Sequence, residues 1–477
     1  MDVKLVGRKQ EQEILRKALQ STEAEMVAVI GRRRVGKTFL VSNVYREQIV
    51  FEMTGIQNGS LTNQLTNFAD QLTEFAKPSL PLKQPDNWLE AFQLLRTYLK
   101  QLPGKAKRVI FFDELPWIAT HKSGFLDALG YFWNSWASRE AIVMVICGSA
   151  ASWMIQKVVN NRGGLHNRIT RRIFLEPFTL GETEEYLRSR NILFTRYQII
   201  QLYMAMGGIP HYLKEVEGGR SATQNINHIC FSKNGLLKNE FLRLYPSLFA
   251  NADNHFAVIR VLGEKPQGLT RRQLIEMSGL PDGGGFSKVL DELTHSGFIS
   301  AFRTFGKKKK AKLYRLTDEY SLFYLKFMEN KEYEGPDIWN HLSQTQSYKS
   351  WSGYAFESIC LKHIQQIKKA LDIAGIYSLS SSYYKPGTES DPGIQIDLLI
   401  DRKDQAISIC EMKFYTTEFT LSREYAQKLT RKMEIFRETT KTKKQLFLVF
   451  ITTFGLKPNE YSLGLVDRTL TMDDLFG

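Results

Sequence analysis

The chain has 477 residues, and its 64 Lys and Arg against 50 Asp and Glu give a formal charge of +14. At roughly 150 residues per domain the length points to about three domains, and 43% apolar with 24% charged residues excludes a collagen-like or broadly disordered chain. The basic balance favours a polyanionic partner, nucleic acid first among them, with plain solubility as the competing explanation.

Residues 1–22 read as a short entry followed by a helix with Ile14, Leu15, Ala18 and Leu19 on one face. Continuous apolar runs at 26–30, 49–53, 109–112 and 141–147, with a weaker one at 172–175, are the pattern of strands buried on both faces of a parallel sheet. Helical stretches such as 87–99 lie between them, which makes the first part α/β. After Pro177, Thr179-Leu180-Gly181-Glu182 is a capping box that opens a helix through Arg188. A second helix over 197–206 stops at Gly207-Gly208, and a short one follows from His211, as in a small helical lid.

From about residue 236 the pattern changes to helices at 256–262, 271–277 and 287–296, then two strands at 298–305 and 312–316. Three helices and a hairpin make a winged helix-turn-helix. A third pattern begins near 350: a helix over 351–370, strands at 377–382, 394–400 and 406–414, a helix at 422–437 and a strand at 445–451. The expected domains are 1–178, 179–235, 236–330 and 331–477.

Four scattered cysteines, Cys147, Cys230, Cys360 and Cys410, form no C-x-x-C pair. That argues against a zinc ribbon, a redox motif or a disulfide framework and fits a reducing cytosol. The first ten residues, MDVKLVGRKQ, lack the apolar run of a secretory signal. The longest apolar stretch, 141–155, is interrupted by Gly148, Ser149 and Ser152 and is too short for a bilayer. A cytoplasmic protein without membrane contact is expected.

Gly31-Arg32-Arg33-Arg34-Val35-Gly36-Lys37-Thr38 fits G-x-x-x-x-G-K-[ST], between a buried strand and a helix. The glycines let backbone N–H groups surround phosphate oxygens, Lys37 offers charge to the β- and γ-phosphates, and the Thr38 hydroxyl suits Mg²⁺. Gly31, Arg34, Val35, Gly36, Lys37, Thr38 and Phe39 are the candidate ATP contacts, and the helix N-terminus favours the same anion. Residues 109–114 give a buried strand ending in Asp113-Glu114. Asp113 is the candidate second Mg²⁺ ligand, and Glu114 the group that orients or deprotonates the attacking water. The strand 141–147 is expected between those bearing Lys37 and Asp113. Ser149 beyond it either contacts the γ-phosphate or water, or is a small residue at a turn. Arg168 is the candidate transition-state arginine, with Arg162, Arg171 and Arg172 as rivals and general surface charge as the alternative.

With Val6-Gly7-Arg8, the 165–168 region, Pro177-Phe178 and Gly207-Gly208-Ile209-Pro210, these residues resemble the archaeal-type ATPases, of the AAA+/STAND branch of P-loop NTPases, also found in bacteria. The resemblance spans about 5–330. It implies a five-stranded core, a helical lid and a winged helix, with Gly208 and Pro210 near the nucleotide base. Asn167 stands where the family more usually has glycine.

Lys307, Lys308, Lys309, Lys310 and Lys312 crowd the turn between two strands, a wing tip suited to DNA phosphates. The alternative is a solvated turn on a domain used for protein contacts. The segment 287–296 is the expected recognition helix, after Gly283-Gly284-Gly285. Farther on, Asp397 sits in an apolar strand, and Glu411-x-Lys413 in the next puts both polar side chains on one face. Two carboxylates and an ammonium can hold Mg²⁺ and orient a nucleophile for phosphodiester hydrolysis, with Glu357 on the preceding helix as a further metal contact. Residues 350–452 resemble the PD-(D/E)XK nucleases, and Glu357, Asp397, Glu411 and Lys413 match their catalytic positions. Ile396 replaces the common proline, and a structural ion-pair cluster is the plain alternative.

Two functions are therefore expected. The first is an ATP-dependent, DNA-binding ATPase with a Mg²⁺-dependent nuclease domain, either monomeric or a homo-oligomer. The second is a nucleotide-switch regulator of the STAND type whose nuclease-like domain only binds.

Overall fold

A computed structural model describes residues 5–161, 163–249, 251–306, 312–333, 335, 337–387 and 393–477. The chain divides into two compact units, Met1–Pro177 and Phe178–Gly477.

The first unit is built on a five-stranded parallel sheet. Its strands are β1 (Glu25–Ile30), β2 (Ile49–Thr54), β3 (Arg108–Asp113), β4 (Ile142–Gly148) and β5 (Arg171–Phe174), in the order β2-β3-β4-β1-β5. Every residue of β1 and β4 is buried, as the unbroken apolar runs require. β4 lies between β1 and β3 as expected, pairing Ile30 with Gly148 and Phe112 with Ile146. This brings the carboxyl ends of three strands side by side, where open α/β sheets bind ligands. The helices Leu61–Ala76, Trp88–Gln101 and Phe125–Ser135 pack an aromatic core on the sheet around Phe68, Trp88, Phe92, Phe112 and Phe125. Trp88 and Phe125 meet edge to face at 4.7 Å, a favoured aromatic geometry.

In the second unit the Thr179 capping box forms, with Thr179 and Glu182 each satisfying the other's backbone N–H. The helices Leu180–Ser189, Arg196–Met206 and Pro210–Leu213 follow. Farther on come the helices Ala252–Glu264, Arg271–Ser278 and Gly284–His295 and the strands β6 (Leu269–Thr270), β7 (Ile299–Arg303) and β8 (Lys312–Leu316). The last two form an antiparallel hairpin, and β6 pairs with β8. The third helix starts at Gly284, three residues earlier than expected, because Gly283 with φ 151° turns the chain and Gly284 and Gly285 enter the first turn.

The C-terminal part carries a mixed sheet. Its strands are β9 (Ser378–Lys385), β10 (Ile394–Arg402), β11 (Ala406–Lys413), β13 (Gln445–Thr452) and β15 (Arg468–Leu470), in the order β15-β13-β11-β10-β9. The short strands β12 (Phe419–Thr420) and β14 (Leu456–Lys457) pair beside it. The helix expected over 351–370 is two helices, Gln346–Lys362 and Ile364–Ala370. His363 breaks it, its ring nitrogens engaged by the Ile359 carbonyl at 2.8 Å and by the Leu180 N–H at 2.9 Å.

That second bond is one of several that join distant parts of this unit. Tyr197 stacks on Phe414 with centroids 5.4 Å apart, Arg196 pairs with Asp473 at 3.0 Å, and Lys362 pairs with the buried Glu319 at 2.6 Å. The end of β7 runs onto β9, where Phe305 N–H donates to the Ser382 carbonyl at 2.8 Å. No helix among the described residues is long and apolar enough to cross a membrane.

Candidate functional sites

β1 delivers the chain to Gly31, where a side chain has no room: a Cβ would stand 2.4 Å from the Leu175 carbonyl oxygen. The loop then turns through left-handed conformations at Arg34 (φ 74°) and Gly36 (φ 93°) into the helix Lys37–Val44. Lys37 is buried, its ammonium 3.3 Å from the Arg32 carbonyl and 3.7 Å from Glu114. The Thr38 hydroxyl donates to Asp113 at 2.5 Å. Burial raises the Asp113 pKa against the hydrogen bond from Thr38. A hydroxyl and a carboxylate in contact are the hard oxygen donors that Mg²⁺ takes, so the residues fit the ion.

Glu114 follows with φ 47°, a left-handed conformation that a non-glycine residue adopts at a cost. This turn directs its carboxylate at β4, where Ser149 donates both its N–H (2.9 Å) and its hydroxyl (2.7 Å) to the same oxygen. Ser149 therefore spends its hydroxyl on Glu114, a partner that sequence does not reveal. Arg8 is a second such residue. Buried and reaching the Val35 carbonyl at 3.4 Å, it lies 27 positions away in sequence. Phe39, in the first turn of the helix, is exposed.

The arginines separate by environment. Arg171 pairs with Glu25 at 2.8 Å, a structural bond within the sheet. Arg168 and Arg172 are exposed, and Arg162 lies outside the described residues. Asn167 takes φ 55°, the left-handed conformation that asparagine tolerates in place of glycine. Gly208 and Pro210 belong to the second unit. The Gly208 carbonyl accepts from Phe178 N–H at 2.7 Å, and Pro210 occupies the first turn of its helix.

In the C-terminal part, β10 and β11 pair Leu398 with Cys410, which puts Asp397 and Glu411 one step along the ladder. Glu411 is held by Lys413 at 2.8 Å, by Lys432 at 2.9 Å and by the Tyr425 hydroxyl. Burial works against its charge, but the two ammonium groups and the hydrogen bonds prevail and lower its pKa to about 2. Asp397 accepts from Gln395 at 2.7 Å and pairs at 3.5 Å with Arg315 of β8. Burial, and then the nearby Asp397, raise Glu357 to about 8. The site thus gathers Asp397, Glu411 and Lys413 with two cations that sequence did not indicate, Lys432 and Arg315. Tyr425 and Lys432 share one face of the helix Arg423–Thr440, seven positions apart, and that spacing was the available signal. Nothing in the sequence marks Arg315. Among the described residues, no three acidic, histidine or cysteine side chains stand together as a metal-holding group.

The helix Gly284–His295 spends Glu292 on His255 at 2.9 Å and holds Lys288 near it at 3.8 Å. Lys312 is exposed at the start of β8, whereas Lys307 to Lys310 lie outside the described residues.

Residues 5–216 match the family described as an ATPase domain predominantly from Archaea, which gives the chain an archaeal-type ATPase domain. An uncharacterized protein of Methanocaldococcus jannaschii is 23% identical over 214 residues, 44% of each chain, so less than half of that relative is spanned. Among solved structures, a Walker-type ATPase of Pyrococcus abyssi aligns at 16% identity and TM-score 0.49, over 67% of this chain and 96% of its own. The ORC2 protein of Aeropyrum pernix, solved as ADPNP and ADP complexes, aligns at 16% and 0.41, over 68% and 93%. These likenesses are too loose to bear on function.

Proposed function

We propose that the first unit binds ATP with Mg²⁺ and hydrolyses it, on the strength of one observation: Lys37, Thr38, Asp113 and Glu114 converge at the carboxyl ends of β1 and β3. Lys37 serves the β- and γ-phosphates, and Thr38 and Asp113 hold the ion. Glu114, held by Ser149, orients the attacking water. Magnesium, when bound, neutralises charge on the phosphates. Gly31, Arg34, Val35, Gly36 and Phe39 make the remaining loop and helix contacts, and Arg168 supplies transition-state charge. Whether ATP drives assembly of a homo-oligomer decides if that arginine acts on a neighbour. Lys37→Ala and Glu114→Gln should abolish ATP turnover. Turnover that persists in both removes the mechanism.

The second unit, on this reading, comprises a helical lid (179–235), a winged helix (236–330) that meets DNA through its basic wing, and a nuclease-like domain (331–477). Asp397 and Glu411 would supply carboxylates for Mg²⁺, Glu357, raised to about 8, would join them only on losing its proton, and Lys413 would serve the reacting phosphate. The low pKa of Glu411 keeps it ionised, as a metal ligand must be. Cleavage of DNA in Mg²⁺ by wild type but not by Glu411→Ala is the expected result. Equal cleavage by both, or by neither, removes the nuclease claim. A regulatory switch without cleavage is the second reading. It draws support from Arg315 and Lys432, which already neutralise Asp397 and Glu411.

A further inference from the structure

Two cavities flank Arg315 along the seam between the winged helix and the C-terminal domain. One has a volume of about 1020 Å³ and the other about 660 Å³, and they share Lys265, Gln267 and Arg315 in their walls. The larger reaches Glu357 and opens beside the half-exposed Tyr354. The smaller reaches Gln395, the residue that holds Asp397, and opens beside the exposed Tyr384. They approach the candidate carboxylates through Glu357 itself and through Gln395, and each has a tyrosine reachable from solvent in its wall.

The walls of these cavities suit an anionic chain. Those of the smaller cavity carry Lys265, Lys312 and Arg315 and, among the described residues, no acid. The larger adds Lys326, which like Lys265 is exposed and forms no ion pair among the described residues. Its acidic side chains are Glu329, which Arg260 pairs at 2.8 Å, the exposed Glu264 and Glu357 with its raised pKa. Three buried polar groups belong to wall residues and have no hydrogen-bond partner among the described residues: Ser382 Oγ in the smaller cavity, and Trp351 Nε1 and Ser358 Oγ in the larger. Buried polar groups normally find partners. Arg315 itself is fixed from behind by the Gln267 carbonyl at 2.9 Å and by the Phe302 ring, which sets its guanidinium at the junction of the two cavities.

We propose that this seam is a binding site for a single strand of DNA. Phosphates run along Lys265, Lys326, Lys312 and Arg315, and bases stack on Tyr354 and Tyr384. A positive groove with interleaved aromatic side chains is how single strands are held without regard to sequence. The site gives the nuclease reading its substrate form, a frayed or unpaired strand, and in that respect rests on it.

The test is binding of a short fluorescein-labelled oligothymidylate to the full chain, followed by anisotropy in excess EDTA so that cleavage plays no part. The single strand should bind more tightly than a duplex of equal length. Lys265→Glu with Lys326→Glu should weaken it and lower its dependence on salt. Tyr354→Ala and Tyr384→Ala should each weaken it at least about five-fold, with melting curves like the wild type. Unchanged affinity in these variants, or a duplex that binds as tightly and is affected equally, overturns the site. The nuclease reading stands or falls separately. If Glu411→Ala cleaves like wild type while the tyrosine variants lose the single strand, the assignment of cleavage to the Glu411 site is refuted and the strand site remains.

Discussion

Ser149 gives Glu114 two hydrogen bonds to one carboxylate oxygen, from its N–H and from its hydroxyl, across the adjacent ends of β4 and β3. Only the hydroxyl depends on the side chain, so Ser149→Ala removes half of the clamp. A hydrogen bond to a charged group is worth about 1.5–3 kcal/mol. ATP turnover should fall by roughly ten-fold or more while nucleotide affinity stays near that of wild type. A loss of affinity with unchanged turnover would mean that Ser149 touches the nucleotide instead.

The contact between Thr38 and Asp113 makes a companion prediction. Thr38→Ala should weaken the Mg²⁺-dependent part of ATP binding, and Thr38→Ser should restore it, because only the hydroxyl is used. Titration of ATP with and without Mg²⁺ separates the two. Equal Mg²⁺ enhancement in wild type and Thr38→Ala would remove Thr38 as a ligand.

His363 links pH to the stability of the second unit. Its burial lowers the pKa from 6.5 to about 4, and its ring accepts the Leu180 N–H only when neutral. Below pH 6.5 the unfolded chain takes up a proton that the folded one refuses, so stability is lost as pH falls from about 6.5 toward 4. At 1.36 kcal/mol per pH unit this is worth about 3 kcal/mol at most. His363→Gln, though less stable at neutral pH, should show a shallower fall in melting temperature over that range. A parallel fall in both proteins would assign the acid sensitivity elsewhere.

Gly208 tests the packing around the lid helices. A Cβ there would stand 2.0 Å from the Phe178 carbonyl oxygen, which belongs to rigid backbone. Gly208→Ala should cost at least about 1–3 kcal/mol, read as a lower denaturation midpoint. Gly219→Ala, with no atom near the added carbon but φ 80°, should be costly only through backbone strain.

The first unit was legible in the sequence because its signals are local. A buried parallel strand reads as an apolar run, and the phosphate loop is eight consecutive residues, so β1 to β5 and the order of β4 between β1 and β3 followed. The same locality explains the failures. Arg8 reaches Val35, and Arg315 reaches Asp397, through the fold, with no periodicity or spacing to announce them. The break at His363 was invisible for a related reason. The residues around it suit a helix, and the interruption accompanies a hydrogen bond from Leu180, 183 positions away. Ser149 was found as a candidate, but its partner was not, because a hydroxyl at a strand end has many possible uses.

The ties of the lid helices have a consequence for how the chain is made. Leu180 waits for His363, Tyr197 for Phe414 and Arg196 for Asp473. At roughly 5–20 residues per second, a ribosome takes on the order of 10–40 s to supply the 183 residues that separate the first pair. During that interval the apolar face of the helix Arg196–Met206 lacks its final partners, while every strand of the first sheet has already been synthesised. Folding during synthesis is therefore expected to proceed in two stages, and the lid segment, though early in the sequence, belongs to the later one.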